Sequence, residues 1–304
     1  MRHETSRWVI HRRDFLKSSL AAAFLAGHAA TASDSAPKLS FGIVTDSHYA
    51  DIDTRGTRHY RESLAKMREC VDLMNDKQVD FVVELGDFKN GAETDNIEHL
   101  RAIESVYATF DGPRYHALGN HDMDSISKTA FKENVENTGI PRERTYYSFD
   151  RNGVHFAVLD ANFRSDGEDY DSGNFEWTDA NVPEAQLEWL AGDLKQAAKP
   201  SIIFLHQLLD RDSGSHYVRN AKDVREVLNK NGNVLAVFQG HNHAGHYAQV
   251  EGIHYYTLKA MVEGSGEENN SYAIVEVLPE ASLTVTGYRK ASSTELKTHA
   301  EPRS

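Results

Sequence analysis

Apolar residues along this chain fall into short blocks that alternate between two periods. Residues 39–45 and 81–85 are nearly continuous β-rich apolar runs and predict buried strands. Between them, residues 60–75 carry Leu64, Met67, Cys70, Val71 and Met74 at helical spacing, which predicts an amphipathic helix. The alternation continues with a helix over 97–110, a strand over 114–118 and a helix over 125–137. Residues 146–150 and 154–160 predict a hairpin turning at Asn152-Gly153. Pro183 opens a helix with Leu187, Leu190 and Leu194 on one face. A strand at 201–205, a helix at 223–230 and a strand at 234–239 follow. Beyond them the pattern is strand-rich, at 247–250, 253–258, 272–277 and 282–288. Strand–helix alternation that ends in strands predicts an α/β fold, a layered β-sandwich of mixed sheets flanked by helices. Residues 162–182 are acidic, aromatic and aperiodic, and read as a long surface loop. The polar tail 291–304 reads as frayed.

The N-terminus is a separate object. Arg12-Arg13 precedes a short apolar run over residues 20–26 and the small-x-small triplet Ala30-Thr31-Ala32. That order predicts a Tat-type signal peptide over 1–32, a short linker over 33–38 and one folded domain over 39–290. The expected product is soluble and periplasmic or extracellular, with the Tat machinery as an export partner and no lasting membrane association. The formal net charge is −13, and removing 1–32, with five basic against two acidic side chains, makes it more negative. Such a surface is repelled by polyanions, so no nucleic-acid polymer is expected as a partner. The single cysteine, Cys70, excludes an internal disulfide and reads as a small core residue.

Polar residues gather just past strand ends. Asp46-Ser47-His48 follows the first strand, Gly86-Asp87 the second and Gly119-Asn120-His121-Asp122 the third. His206 ends the strand begun at Ser201, and Gly240-His241-Asn242-His243 follows the next. Ligands of α/β sheets bind at the C-terminal ends of strands. Carboxylate, imidazole and amide oxygen without thiolate suit manganese, iron or zinc. On an extended backbone, Asp46 with His48 and His241 with His243 would each point both side chains to one side. A two-metal centre needs a carboxylate shared by ions about 3.5–4 Å apart, and Asp87 is the best candidate.

These five groups, in this order, resemble the calcineurin-like metallophosphoesterase superfamily over about residues 41–288. The resemblance implies that Asp46, His48, Asp87 and His243 hold one metal and that Asp87, Asn120, His206 and His241 hold a second. It implies that His121 contacts phosphate and protonates the leaving group, with Asp122 orienting it. Phe41 to Asp46, Tyr49-Ala50-Asp51, Arg58-His59-Tyr60-Arg61 with Ser63, Gly245-His246-Tyr247 and Gly252-Ile253-His254 are similar to the manganese-dependent ADP-ribose/CDP-alcohol diphosphatase branch, which favours manganese. The chain departs from that branch at His48, where those enzymes often carry Gln, and in a shorter middle region. It departs from purple acid phosphatases at Asn90, where they place Tyr.

The expected activity is hydrolysis of a small phosphorylated substrate, a diester or nucleotide pyrophosphate. A phosphomonoesterase and a non-catalytic metal- or ligand-binding protein on the same fold are the alternatives. Lys89 and Asn90 read either as substrate contacts or as a solvated loop, and Tyr49 and His246 as pocket lining or ordinary packing. Tyr170, Phe175 and Trp177 read either as a stacking surface for a base or as anchors of their loop.

Overall fold

The computed structural model describes residues 38–94 and 96–297. The expected signal peptide and most of the linker lie outside these residues. In chain order the elements are β1 (Leu39–Val44), α1 (Ser63–Lys77), β2 (Phe81–Glu84), α2 (Asn96–Tyr107), β3 (Arg114–His116), α3 (Lys128–Asn134), β4 (Tyr147–Arg151), β5 (Val154–Val158), α4 (Glu184–Ala197), β6 (Ser201–Phe204), α5 (Ala221–Asn231), β7 (Val234–Gln239), β8 (His246–Val250), β9 (Ile253–Thr257), β10 (Ser271–Val277), β11 (Leu283–Arg289) and β12 (Thr294–Leu296).

They form two six-stranded sheets, ordered β12-β11-β10-β1-β2-β3 and β4-β5-β6-β7-β9-β8. Both are mixed. β1, β2 and β3 run parallel, as do β5, β6, β7 and β9, while β10–β12, β4 and β8 pair antiparallel. The layered α/β sandwich expected from the apolar pattern is therefore the fold observed. Alternate residues of the two sheets meet in a shared core where Phe41 stacks on Phe81 at 5.0 Å and meets Phe156, Phe204 and Phe238 edge-on. Truncating so central a ring costs about 3–5 kcal/mol. α1 and α2 cover one outer face, with Cys70 buried beside Met67, Val71 and Met74. Leu187, Leu190 and Leu194 of α4 cover the other with α5.

Two local details show the sequence at work. Asn152 and Gly153 both take positive φ, 47° and 75°, as a two-residue turn between twisted strands needs. Ser127 caps α3 by accepting the Ala130 N–H at 2.9 Å. The tail differs from expectation. Residues 294–296 form β12, whose Leu296 is buried against Leu283, so the segment is an edge strand rather than frayed. Residues 298–304 lie outside the description.

Candidate metal centre

β1, β2 and β3 of one sheet and β6 and β7 of the other all end at the same side of the sandwich. The turns that follow them are tied by backbone hydrogen bonds, Asp46 N–H to Gly86 O at 3.0 Å, His48 N–H to Asp87 O at 2.8 Å and Gly240 N–H to His206 O at 3.1 Å. Two glycines permit this closeness. A Cβ on Gly119 would stand 2.1 Å from the Asp87 nitrogen, and one on Gly240 would stand 2.0 Å from Thr45 Oγ1. Their role is close approach, because neither has positive φ.

The side chains converge by an unexpected route. Asp46, His48, Asp87 and His241 all adopt left-handed backbone, with φ of 52°, 44°, 57° and 65°. The extended geometry expected for the Asp46/His48 pair is thus replaced by successive tight turns. Left-handed backbone is unfavourable for residues with a Cβ and gathers at functional sites.

Three groups of ligand-type atoms lie within 4.8 Å of one another: Asp46, His48 and His243; His48, Asp87 and His121; and Asp87, His206 and His241. Asp87 belongs to two of them. Its Oδ1 accepts the His121 N–H at 2.8 Å, while Oδ2 lies 3.5 Å from His48 Nε2 and 3.1 Å from His206 Nε2. That oxygen sits between the two halves of the site, where a shared ligand is required. Asp46 Oδ2 accepts from Thr45 Oγ1 at 2.6 Å and from the His241 N–H at 3.0 Å, which leaves Oδ1 to face His243 Nε2 at 3.3 Å and His48 Nε2 at 3.6 Å.

The donor set fits cations. Asp46 Oδ1, Asn120 Oδ1 and His241 Nε2 are buried without a hydrogen-bond partner, a costly condition that a bound ion relieves for atoms lining its site. The nitrogens facing away from the centre are held. His206 Nδ1 lies 2.8 Å from Leu85 O, His243 Nδ1 lies 2.5 Å from Glu263 Oε1, and His48 Nδ1 lies 3.3 Å from Asn90 Oδ1. Such partners fix which nitrogen faces a metal.

Charge is balanced within the cluster. Burial pushes the Asp46 and Asp87 carboxyls upward, but the imidazoles, His206 foremost, outweigh it and hold both well below the usual carboxylate range. Burial alone would also lower His206 and His243. Asp87 and Asp46 instead raise His206 to about 10, and Asp46 with Glu263 raises His243 to about 9. Burial dominates at His48, pushed down to about 4, and at His241, also depressed. Both shifts favour the neutral imidazole.

His121 stands beside this cluster, its ring 4.7 Å from that of His48. Its Nδ1 lies 2.9 Å from Asp124 Oδ2. Burial opposes its protonation, but Asp87 and Asp124 prevail and raise its pKa. Asp124, not Asp122, is therefore the orienting carboxylate. Asp122 turns back on the backbone and accepts the N–H groups of Asp87, Phe88, Lys89 and Gly119 at 2.8–3.3 Å. It clamps two ligand-bearing turns together and does not touch His121.

Two expected substrate contacts are also corrected. Lys89 is fully buried, and its Nζ donates to His121 O, Asp124 Oδ1 and Ser125 Oγ at 2.6–2.7 Å, so it is neither solvated nor available to a substrate. Tyr49 is buried edge-on against His99 and packs in the core below α1. Asn90 faces His48, and His246 lies 3.5 Å from Asp210, outside the cluster. Tyr170 and Phe175 stack on each other at 3.8 Å as loop anchors, whereas Trp177 reaches the site.

Sequence reasoning missed Asp124, Glu263, His216 and Arg58 as site residues. Asp124 carried a signal in its spacing, three residues after His121. Arg58 lies 3.9 Å from Glu263 and close enough to His121 and His243 for its positive charge to oppose their protonation. The other two arrive from distant loops with no local pattern.

Comparison with known proteins agrees with this geometry. The calcineurin-like phosphoesterase family profile matches residues 39–245. A manganese-dependent ADP-ribose/CDP-alcohol diphosphatase of Oryza sativa subsp. japonica is 27% identical over 310 residues, covering 87% of this chain and 96% of its own. The Arabidopsis thaliana protein of the same description is 24% identical, covering 86% and 97%. A crystal structure of a dimetal phosphatase from Danio rerio superposes with a TM-score of 0.73 at 19% identity, over 87% of this chain and all of the other, and shares the fold. With this match over most of the described domain and a two-part ligand cluster at the strand ends, the chain belongs to the calcineurin-like phosphoesterase family and is a metal-dependent hydrolase of phosphoester bonds.

Proposed function

We propose that the protein hydrolyses the pyrophosphate bond of a nucleoside diphosphate ester of the ADP-ribose or CDP-alcohol kind. The observation that carries this reading is likeness over nearly the full length of relatives with that activity, 96% and 97% of their chains, together with a ligand cluster divided about Asp87. Asp46, His48, Asp87 and His243 would hold one cation, and Asp87, Asn120, His206 and His241 the other. Manganese is the cation those relatives use. When bound, the pair supplies Lewis-acid activation of water and neutralises phosphoryl charge.

The chain's own groups do the rest. Asp87 and Asp124 favour the protonated form of His121 against the opposing effect of burial, and in that form it donates its proton to the departing oxygen. Asp124 fixes the ring by accepting from Nδ1, which leaves Nε2 for the substrate. Arg58 adds positive charge on the His243 side, where a second phosphate can be met. The twin arginine and the segment that follows it support export by the Tat route, and the acidic surface favours small substrates over polyanions.

The test is hydrolysis of ADP-ribose, CDP-choline and p-nitrophenyl phosphate by the purified protein with and without manganese. Metal-dependent turnover that prefers either diphosphate ester supports the reading. Preference for the monoester contradicts it.

A further inference from the structure

Among the described residues, two large hydrophobic side chains stand exposed, Trp177 at 39% and Tyr247 at 44%. Tyr247 is accounted for. Its ring lies over His254, and its hydroxyl is 2.9 Å from His254 Nδ1. Trp177 has no such explanation. Its ring centroid lies 5.5 Å from that of His241, a ligand of the centre, and 5.4 Å from that of His216. His216 in turn lies 4.9 Å from His241. Three aromatic rings thus form a wall on the His206/His241 side, and the indole keeps open surface beside the reaction centre.

The wall is built, not incidental. The Tyr170 hydroxyl donates to Glu176 O at 3.0 Å, one residue before Trp177, and Tyr170 itself is buried and stacked on Phe175. Lys128 binds Asp169 at the base of the same loop, and Asn181 N–H donates to Ala161 O at 3.0 Å to close it. His216 is fixed by pairing with the segment after His206. Leu208 N–H donates to His216 O at 3.0 Å, and Val218 N–H donates to Leu208 O at 2.9 Å. Leaving part of an indole exposed costs hydration free energy, and a clamped loop holds that open part beside the centre. Preorganised aromatic surface of this kind binds flat π systems.

We propose that Trp177, backed by His216, is the stacking platform for the nucleobase of the substrate, and so is a specificity-determining residue of this site. The proposal rests on the nucleoside diphosphate reading above. It adds a direction: the base lies toward the His206/His241 half, and the other end of the diphosphate ester extends toward Arg58 and His243. Stacking tolerates purine and pyrimidine alike, since each presents a π face.

The experiment compares AMP with ribose 5-phosphate, which carries an anomeric hydroxyl in place of the base. The chain has three tryptophans, Trp8, Trp177 and Trp189. In the full-length W8F/W189F protein, Trp177 is the sole tryptophan, and AMP should quench its fluorescence while ribose 5-phosphate does not. By calorimetry on the manganese-loaded protein, W177A should weaken AMP binding about 10-fold, on the scale of one lost base stack, and change ribose 5-phosphate binding less than twofold. W177F should retain most of the AMP affinity, which separates loss of the ring from damage to the loop. Equal quenching by both ligands, equal weakening of both by W177A, or no preference of the wild-type protein for AMP would overturn the platform. Failure of the parent reading looks different: no nucleoside diphosphate ester is hydrolysed, whatever Trp177 does with AMP.

Discussion

The two halves of the candidate metal centre meet at Asp87 but are built from different materials. Around His48 and His243 the surroundings are ionic. Glu263 holds His243 at 2.5 Å, Asn90 holds His48, and Arg58 stands behind. Around His206 and His241 they are backbone and aromatic. The Leu85 carbonyl holds His206, and His241 is walled by Trp177 and His216. The ligand chemistry is similar on both sides, so the difference lies in what each half offers to the rest of a substrate. An ionic flank suits a second phosphate and an aromatic flank suits a base. A substrate with both can bind in one orientation only.

Removing the shared element should have the largest effect. Asp87→Asn is expected to lower kcat/KM by about three orders of magnitude, the scale of losing charge stabilisation at both positions. Steady-state kinetics at saturating manganese checks it, and a loss under tenfold would mean that the halves act independently. His121→Ala should come next. Loss of a general acid lowers the rate by about 100-fold or more for an alkyl leaving group. The same variant should lose far less with p-nitrophenolate, which leaves without a proton. An equal loss with both leaving groups would assign His121 to binding.

Glu263→Gln sharpens the contrast between the halves. It removes the carboxylate that holds His243, and manganese affinity at that half should fall about 10- to 100-fold. Titration calorimetry should show one weakened site and one nearly unchanged. Parallel weakening of both would show that the halves cannot be separated.

The smallest effect belongs to a group outside both halves. His155 bridges Asp150 and Asp193, each at 2.9 Å, and these carboxylates raise its pKa against the opposing effect of burial. A raised histidine stabilises the fold fully below its unfolded pKa, about 6.5, and this contribution fades as pH rises through the folded value. His155→Gln should therefore lower the melting temperature most near pH 6 and progressively less in alkaline solution. The pair is partly solvated, so the effect is about 1 kcal/mol or less. A difference that grows with pH would reverse the sign and contradict the assignment.

Much of this arrangement was legible in the chain. The apolar blocks marked the central strands because β1, β2, β5, β6, β7, β9 and β10 are buried on both faces, one against the shared core and the other beneath covering elements. The convergence of Asp46, His48, Asp87, His121, His206, His241 and His243 was legible because strand ends collect polar residues and their motifs occupy five of them. What failed was local geometry. Asp122 and Asp124 are both near His121, and choosing between them requires the short 3-10 turn Asn120–Met123. That turn sends Asp122 back to four backbone N–H groups and sets Asp124, three residues on, beside the imidazole. Lys89 misled for a related reason, since a lysine after a ligand reads as solvent-facing until its three acceptors are seen. Glu263 and His216 approach from loops whose closure no local pattern encodes.

The central claim is that Asp87 joins two cation sites into one centre. Metal analysis of wild-type and Asp87→Asn protein after equilibration with manganese tests it most directly. The account predicts two ions per chain in the wild type and at most one, weakly held, in the variant. One ion in the wild type, or two retained by the variant at unchanged affinity, would contradict it.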